Sequence, residues 1–447
     1  MRMFEHLGAR GPRAVAAVAW LGAATPAGVV AGSPSGLGAA TQASATPAAP
    51  EPADTLRLRD AVARAAGANP SVTAARLRAE AERERVSPAG ALPDPMLELG
   101  LMNRPLDDFG ADEPMTMNVV GLSQRFPWPG NQGFSEQARG HVARAAELDA
   151  DETAAQMAAR TKEVYARVAY LDRALAVTRE TRDLLEDYLS VAETRYASGG
   201  GLQQDVLQAQ VAVGRATADL AAMEQERVAA AARLNALMGR PADEPIAAVE
   251  LPEPGAGAPP LDSLMALAEE RRPALAAARE RALAAEAAYR AAGRARYPDF
   301  ELGLAWGQRP NFADMGSVSL GVSLPVWGGG KQEALARAAA AERAEEDARA
   351  LDLHYETWAR LGELRAAEER ARVLAGIYRT SILPQAEAAV ESALAAYQVG
   401  RVDYATLLDA RLALNRYQVD RVRLATERLQ ALAGIEALTR TEMGGDR

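Results

Sequence analysis

Few side chains in this sequence could do chemistry, and they are scattered. There are three histidines and no cysteine, which removes disulfides, thiolate metal sites and a thiol nucleophile. His141 and His354 each lack a second ligand three or four residues on, so neither begins a two-ligand helical face and no metal ligand is expected. Met96, Met102, Met115 and Met117 lie close together. Thioethers suit Cu(I), but methionine more often fills apolar surface, and that is how they are read. Nucleophile elbow, phosphate loop, dinucleotide fingerprint and acid–base cluster are all missing. An enzyme has no support and no cofactor is expected. If the chain takes part in transport, the energy comes from a partner.

Charge narrows the partners. The 50 basic and 60 acidic residues are well mixed and leave a net charge of −10, so no polybasic surface for nucleic acid exists. At the N-terminus, Arg2, Arg10 and Arg13 precede the apolar run Ala14–Ala24 and then small residues. This order is that of an export signal, with residues 1–45 expected to be signal peptide and linker. No other segment has about 18 consecutive apolar residues, so no transmembrane helix is expected. Without a cysteine, no lipid anchor is expected either.

The elements that position the remaining polar residues are written twice. Asn69-Pro70 faces Arg272-Pro273, Pro93-Asp94 faces Pro298-Asp299, Ser123 faces Ser323 and Tyr196 faces Tyr397, at offsets of 200 to 205 residues. Residues 54–240 form one copy and 261–440 the other. The Pro-rich stretch 241–260 links them, and 441–447 is a tail.

Each copy holds two strand-like segments. Phe300, Leu302, Leu304 and Trp306 alternate with Glu301, Gly303 and Ala305, and Val318, Leu320, Val322 and Leu324 alternate with Ser317, Ser319, Gly321 and Ser323. Leu97, Leu99 and Leu101 alternate with Met96, Glu98 and Gly100; the segment Met115–Gln124 alternates less cleanly. Such a hairpin either covers a soluble core or faces lipid on one side and water on the other.

Each copy also holds one long Ala-, Glu- and Arg-rich run, Asn131–Ser198 and Lys331–Val399, roughly 100 Å if helical. Return helices follow at Leu202–Met238 and Val402–Leu438, and Leu56–Ala89 and Leu261–Arg296 fill the other half. Pro384 should kink the second long run. Four strands cannot close a membrane barrel, which takes about eight or more, so lipid-facing hairpins require several chains.

The junctions QRFPWPG and SLPVWGGGK and the turns YASGGGLQQDVLQAQ and YQVGRVDYATLLDAR, duplicated in order, resemble the outer-membrane factor family, the TolC-like subunits of tripartite efflux pumps and type I secretion systems. The junctions resemble metal-efflux relatives such as the CusC-like proteins somewhat more than TolC itself. The resemblance implies a mainly α fold with a small β part: an internally duplicated protomer of a homotrimer. A twelve-stranded outer-membrane β-barrel would continue as a long α-helical barrel in the periplasm. It implies a periplasmic adaptor protein and an inner-membrane pump, of RND or ABC type, as partners, and outer-membrane lipid around the sheet.

By the same resemblance, Ser198, Gly199 and Gly200 with Val399, Gly400 and Arg401 form adaptor-contacting tips. Asp409 would form a carboxylate ring at the entrance, where like charges concentrate cations. Thr406 takes the place of a second acidic residue, and Asp205 and Gln208 correspond in the first copy. Tyr397 would hold Asp205 across neighbouring helices; the accompanying basic residue falls at Val402, with Arg401 one place early. Asp205 and Asp409 also fit plain solvated helix-face charges. Phe126, Pro127, Trp128, Pro129, Pro325 and Trp327 make the joint at the membrane face, where prolines end strand pairing and aromatic rings suit the lipid–water boundary. A protein-secretion duct and a soluble periplasmic scaffold or adaptor are the competing functions.

Overall fold

The computed structural model describes residues 56–105, 110, 113–253, 255, 257–326 and 328–443. The expected export signal, its linker, Trp327 and the last four residues lie outside the described residues.

Pre-proline positions divide the leading helices of both copies. A residue before proline is pushed out of the helical region, and proline itself suits the first helical position. Thus Asn69 (ψ 124°) separates α1 (Leu58–Ala68) from α2 (Pro70–Glu84), and a further break at Arg85 sets off the short α3 (Val86–Gly90). Arg272 (ψ 115°) separates α6 (Leu261–Arg271) from α7 (Pro273–Arg294). The leading segments of both copies are therefore divided at their Xaa-Pro steps. Asn69 closes its break by accepting from the Ser71 amide at 2.9 Å and donating to Leu237 O at 3.0 Å. Arg272 instead reaches the buried Glu152 carboxylate at 3.2 Å and the Thr357 hydroxyl.

The first long helix, α4 (Asn131–Ala197), runs 67 residues without interruption, about 100 Å at 1.5 Å per residue. Its buried face is rich in alanine, including Ala143, Ala146, Ala150, Ala166 and Ala169, which lets neighbouring helices approach closely. The second long run is α8 (Glu333–Ile377), a π turn at Tyr378–Ile382, and α9 (Leu383–Gln398). Pro384 stands at the start of α9, directly after the π turn. The missing proline N–H is thus absorbed by a widened turn, a recognised site of helix distortion.

The return helices are α5 (Gln203–Leu237) and α10 (Tyr404–Thr439). In the half carrying the turns, helices pack side by side in the order α5, α4, α10, α9; in the half carrying the sheet the order is α2, α4, α7, α8. The copies interleave, since α7 and α10 of the second copy both pack on α4 of the first.

The linker between copies is strapped down by the same device twice. Arg227 pairs with Asp172 and donates to Ile246 O at 3.1 Å, while Val249 N donates to Asp172 at 3.0 Å. Arg428 pairs with the buried Glu368 at 2.8 Å and donates to Gly255 O at 2.9 Å.

Strands β1 (Met96–Met102), β2 (Met117–Phe126), β3 (Asp299–Gln308) and β4 (Met315–Ser323) form one antiparallel sheet in chain order. Its register puts Leu99 opposite Val120, Val120 opposite Trp306, and Leu304 opposite both Leu122 and Val318. One face is therefore largely apolar. It is also uncovered: Leu99 is 72% exposed, Val318 76% and Leu320 71%. The soluble alternative, a sheet laid over a core, fails on this point. The weak alternation of β2 comes from its ends, where Asn118 and Gln124 share the face held by Val120 and Leu122.

Candidate functional site

At the end remote from the sheet, two turns join long and return helices by the same local chemistry. Gly199 and Gly400 adopt positive φ of 76° and 70°, a conformation glycine enters without steric cost. In each turn the following amide closes back on the last helical turn, Gly200 N to Arg195 O at 2.8 Å and Arg401 N to Ala396 O at 2.9 Å. This is the Schellman ending of a helix. Ser198, Gly199, Gly200, Val399, Gly400 and Arg401 are all exposed, which is where the sequence puts its tips.

Beneath the turns lies an apolar plug that spans both copies: Ala192 of α4, Ala209 of α5, Ala393 and Tyr397 of α9, and Tyr404 and Leu407 of α10. The Tyr397 and Tyr404 rings meet edge to face at 5.7 Å. Burial pushes the Tyr404 phenol up to about 12, helped by the nearby Tyr397, Tyr188 and Asp205. Burial also raises the Tyr397 phenol; the Arg195 guanidinium opposes the rise and Asp205 adds to it. Both hydroxyls are buried without a hydrogen-bond partner among the described residues.

Tyr397 and Asp205 are thus brought into electrostatic reach, but no hydrogen bond joins them within the chain. The guanidinium beside Tyr397 is that of Arg195, which reaches across from α4. Its guanidinium covers the Tyr397 ring and donates to Tyr397 O at 3.0 Å and Gly200 O at 3.3 Å. Arg195 has Ala396 as its counterpart in the second copy, so the repeat itself hid it.

Thr406 is not free to stand in for a second acid. Asp403 caps α10 by accepting from both Thr406 N at 2.9 Å and Thr406 Oγ1 at 2.5 Å, and these bonds hold the Asp403 carboxyl below its usual range. Asp409, one turn further, is exposed and makes no ion pair among the described residues. Gln208 is half-buried and lines a groove of about 700 Å³ with Leu207, Val211, Leu408 and Leu412, between α5 and α10.

At the other end, the strand-to-helix joint is pinned by a residue the sequence did not single out. The Asp299 carboxylate accepts from Trp128 N at 3.0 Å and pairs with Arg125 at 2.6 Å. Trp128 stacks on Tyr297 at 4.9 Å and near Phe300 at 6.0 Å. Phe126 still pairs with Phe300 in the sheet and is partly exposed; Pro127 and Pro129 follow it. Gly130, at φ 88°, turns the chain into α4. Pro325 follows β4, but the second copy enters its helix through a π turn at Gly328–Gln332. Trp327 lies outside the described residues.

Neither His141 nor His354 gathers ligands among the described residues. His141 contacts Glu280 at 2.7 Å beside Arg144, and His354 lies 3.6 Å from Glu269. Among the described residues no cluster of three or more His, Asp or Glu side chains is placed to hold a metal, and no helix is long and apolar enough to cross a membrane.

The fold and the paired turns define a duplicated subunit of long helices carrying a sheet with one bare apolar face. The chain belongs to the outer membrane efflux protein family, whose model matches residues 61–240 and again 264–439, one match for each copy. It is 27% identical over 339 residues to the pyoverdine export outer membrane protein OpmQ of Pseudomonas aeruginosa, covering 71% of this chain and 68% of that one. Among solved structures it resembles CusC, with a TM-score of 0.76 at 15% identity over 87% of this chain and 92% of that one. It also resembles VceC of Vibrio cholerae, with a TM-score of 0.73 at 20% identity over 87% and 97%. The protein is an outer membrane efflux channel protein, not an enzyme.

Proposed function

We propose that three copies of this chain assemble into a passive exit duct. A twelve-stranded barrel would cross the outer membrane, and a tube of helices would extend into the periplasm. The carrying observation is the sheet. Its apolar face is bare, and β1 and β4 each have one unpaired edge. An open edge in hydrocarbon costs several kcal/mol per unsatisfied backbone group, so the edges must meet in a closed ring, and outer-membrane barrels alternate apolar-out with polar-in. The helices support the same closure. The outer members of the layer keep exposed apolar residues, Leu207 and Val211 on α5 and Leu335 and Leu351 on α8, suited to a neighbouring copy.

In this reading the exposed tips meet a periplasmic adaptor, and an inner-membrane pump supplies the energy. Asp409 forms the entrance ring, and the Tyr397 hydroxyl, unpartnered inside one chain, bonds to a neighbour when the entrance is shut. The cargo is a small molecule or metal ion. The relative named for pyoverdine export supports this over the alternative of a secreted protein.

The chain has no native cysteine, so assembly is open to a clean test. Single cysteine pairs, one scanned along β1 and one along β4, are oxidised in outer-membrane preparations. Closure predicts covalent ladders ending at trimer. A monomer at every position, with a monomeric mass in mild detergent, contradicts it.

A further inference from the structure

The sheet face opposite the leucines is built from small and polar residues, such as Glu98, Gly100, Ser317 and Ser319. Apart from Val119, and from Met96 at the end next to the helices, its larger apolar exceptions are three thioethers at the end away from the helices. Met102 is the register partner of Met117, and Met315 is the partner of Gly307. All three lie on the one face, and Met102 and Met315 are 49% and 41% exposed there. Methionine used as apolar filler belongs on the leucine face or in a core; these side chains are on neither. Gly307 explains how Met117 and Met315 come together. The Met117 sulfur occupies the place above Gly307, 2.7 Å from where a Cβ would stand, so that thioether lies over the β3 residue whose register partner is Met315.

We infer that Met102, Met117 and Met315 form a binding site for a soft monovalent cation, Cu(I) or Ag(I), at the outer end of the sheet. Thioether sulfur favours such ions over hard or borderline cations. Two or three neutral sulfurs on a water-exposed face offer low coordination without a buried charge. The site draws residues from β1, β2 and β4, with Gly307 of β3 as a positioning residue. The ligand set stands on the register of one chain; only its placement inside a duct rests on the function proposed above.

The test uses the full-length protein, purified in detergent and labelled at methionine methyl groups, with Ag(I) as probe and Zn(II) in parallel. Three methyl signals, assigned by Met102→Leu, Met117→Leu and Met315→Leu, should shift with Ag(I) and stay in place with Zn(II). Gly307→Ala should displace the Met117 sulfur, so the Met117 methyl signal should move in the metal-free protein and its Ag(I)-induced shift should shrink. The triple leucine variant should lose this binding; if it does not fold, the single variants read the same shifts. Ag(I) binding that leaves these three signals unmoved overturns the site, as does equal affinity in the variants. A protein that conducts in bilayers but shows no such shift overturns the site alone, whereas binding by a protein that never forms a channel overturns only the duct.

Discussion

The Arg195 guanidinium lies 4.6 Å above the Tyr397 ring and donates to that residue's own carbonyl at 3.0 Å. One side chain of the first copy thereby closes over the last helical turn of the second copy's long run. A cation over an aromatic face contributes about 0.5–2 kcal/mol, and a hydrogen bond from a charged donor about 1.5–3 kcal/mol. Arg195→Ala should therefore loosen both tips by about 2 kcal/mol. Hydrogen exchange should speed up several-fold around 195–206 and 396–406 while the melting temperature of the rest holds. Lysine should rescue poorly, because a point charge cannot both stack and fork.

Alkaline stability should depend on Tyr404. Its folded pKa, about 12, lies above the ordinary value of 10.0. The neutral phenol is the buried form, so its contribution is complete below pH 10 and is lost as pH rises through 12. Two pKa units correspond to about 3 kcal/mol. Tyr404→Phe removes this titration together with a hydroxyl that has no partner, and removing an unsatisfied buried group is neutral or stabilising. The variant's alkaline unfolding midpoint should move upward, with little change at pH 7. A lower midpoint would mean that the hydroxyl is bonded after all.

Two glycines of the same positive φ should tolerate alanine differently. Gly199 has open space where a Cβ would go, so Gly199→Ala carries only the left-handed strain, about 1–2 kcal/mol. At Gly239 (φ 70°) a Cβ would stand 2.9 Å from Ala68 O, a backbone atom. Gly239→Ala should lower the denaturation midpoint clearly more than Gly199→Ala, and measured side by side the order of the two is the check.

The linker strap should fail when its acid is removed. Glu368 is 1% exposed and is paired with Arg428. Losing one partner of a buried pair costs about 3–5 kcal/mol, mostly by stranding the other charge. Glu368→Ala should lose stability on that scale and expose residues 246–259 to protease. Glu345→Ala, at an exposed pair with Arg349, should change almost nothing.

The architecture was legible because it is repeated and periodic. Alternation in β3 and β4, the proline-free span of α4 and the positive-φ glycines are all local properties that a sequence carries on its face. The breaks at Asn69 and Arg272 are legible too, since each precedes a proline. What stayed hidden depends on contacts between distant residues. Arg195 acts across about 200 positions on a residue of the other copy, and its register mate is alanine. Asp299 holds Trp128 from 171 positions away. The methionines read as filler along the sequence; the register places Met315 on the same face as the pair from the first hairpin, across Gly307 of β3.

The central claim is that the chain forms a duct held shut at its helix tips. Conductance of the purified mature protein in planar bilayers tests it most directly. Wild type should form channels of low conductance; Tyr397→Phe should raise conductance, and Asp409→Ala should raise it or relieve cation block. No channel from any of the three proteins, together with a monomer in detergent, would contradict the account.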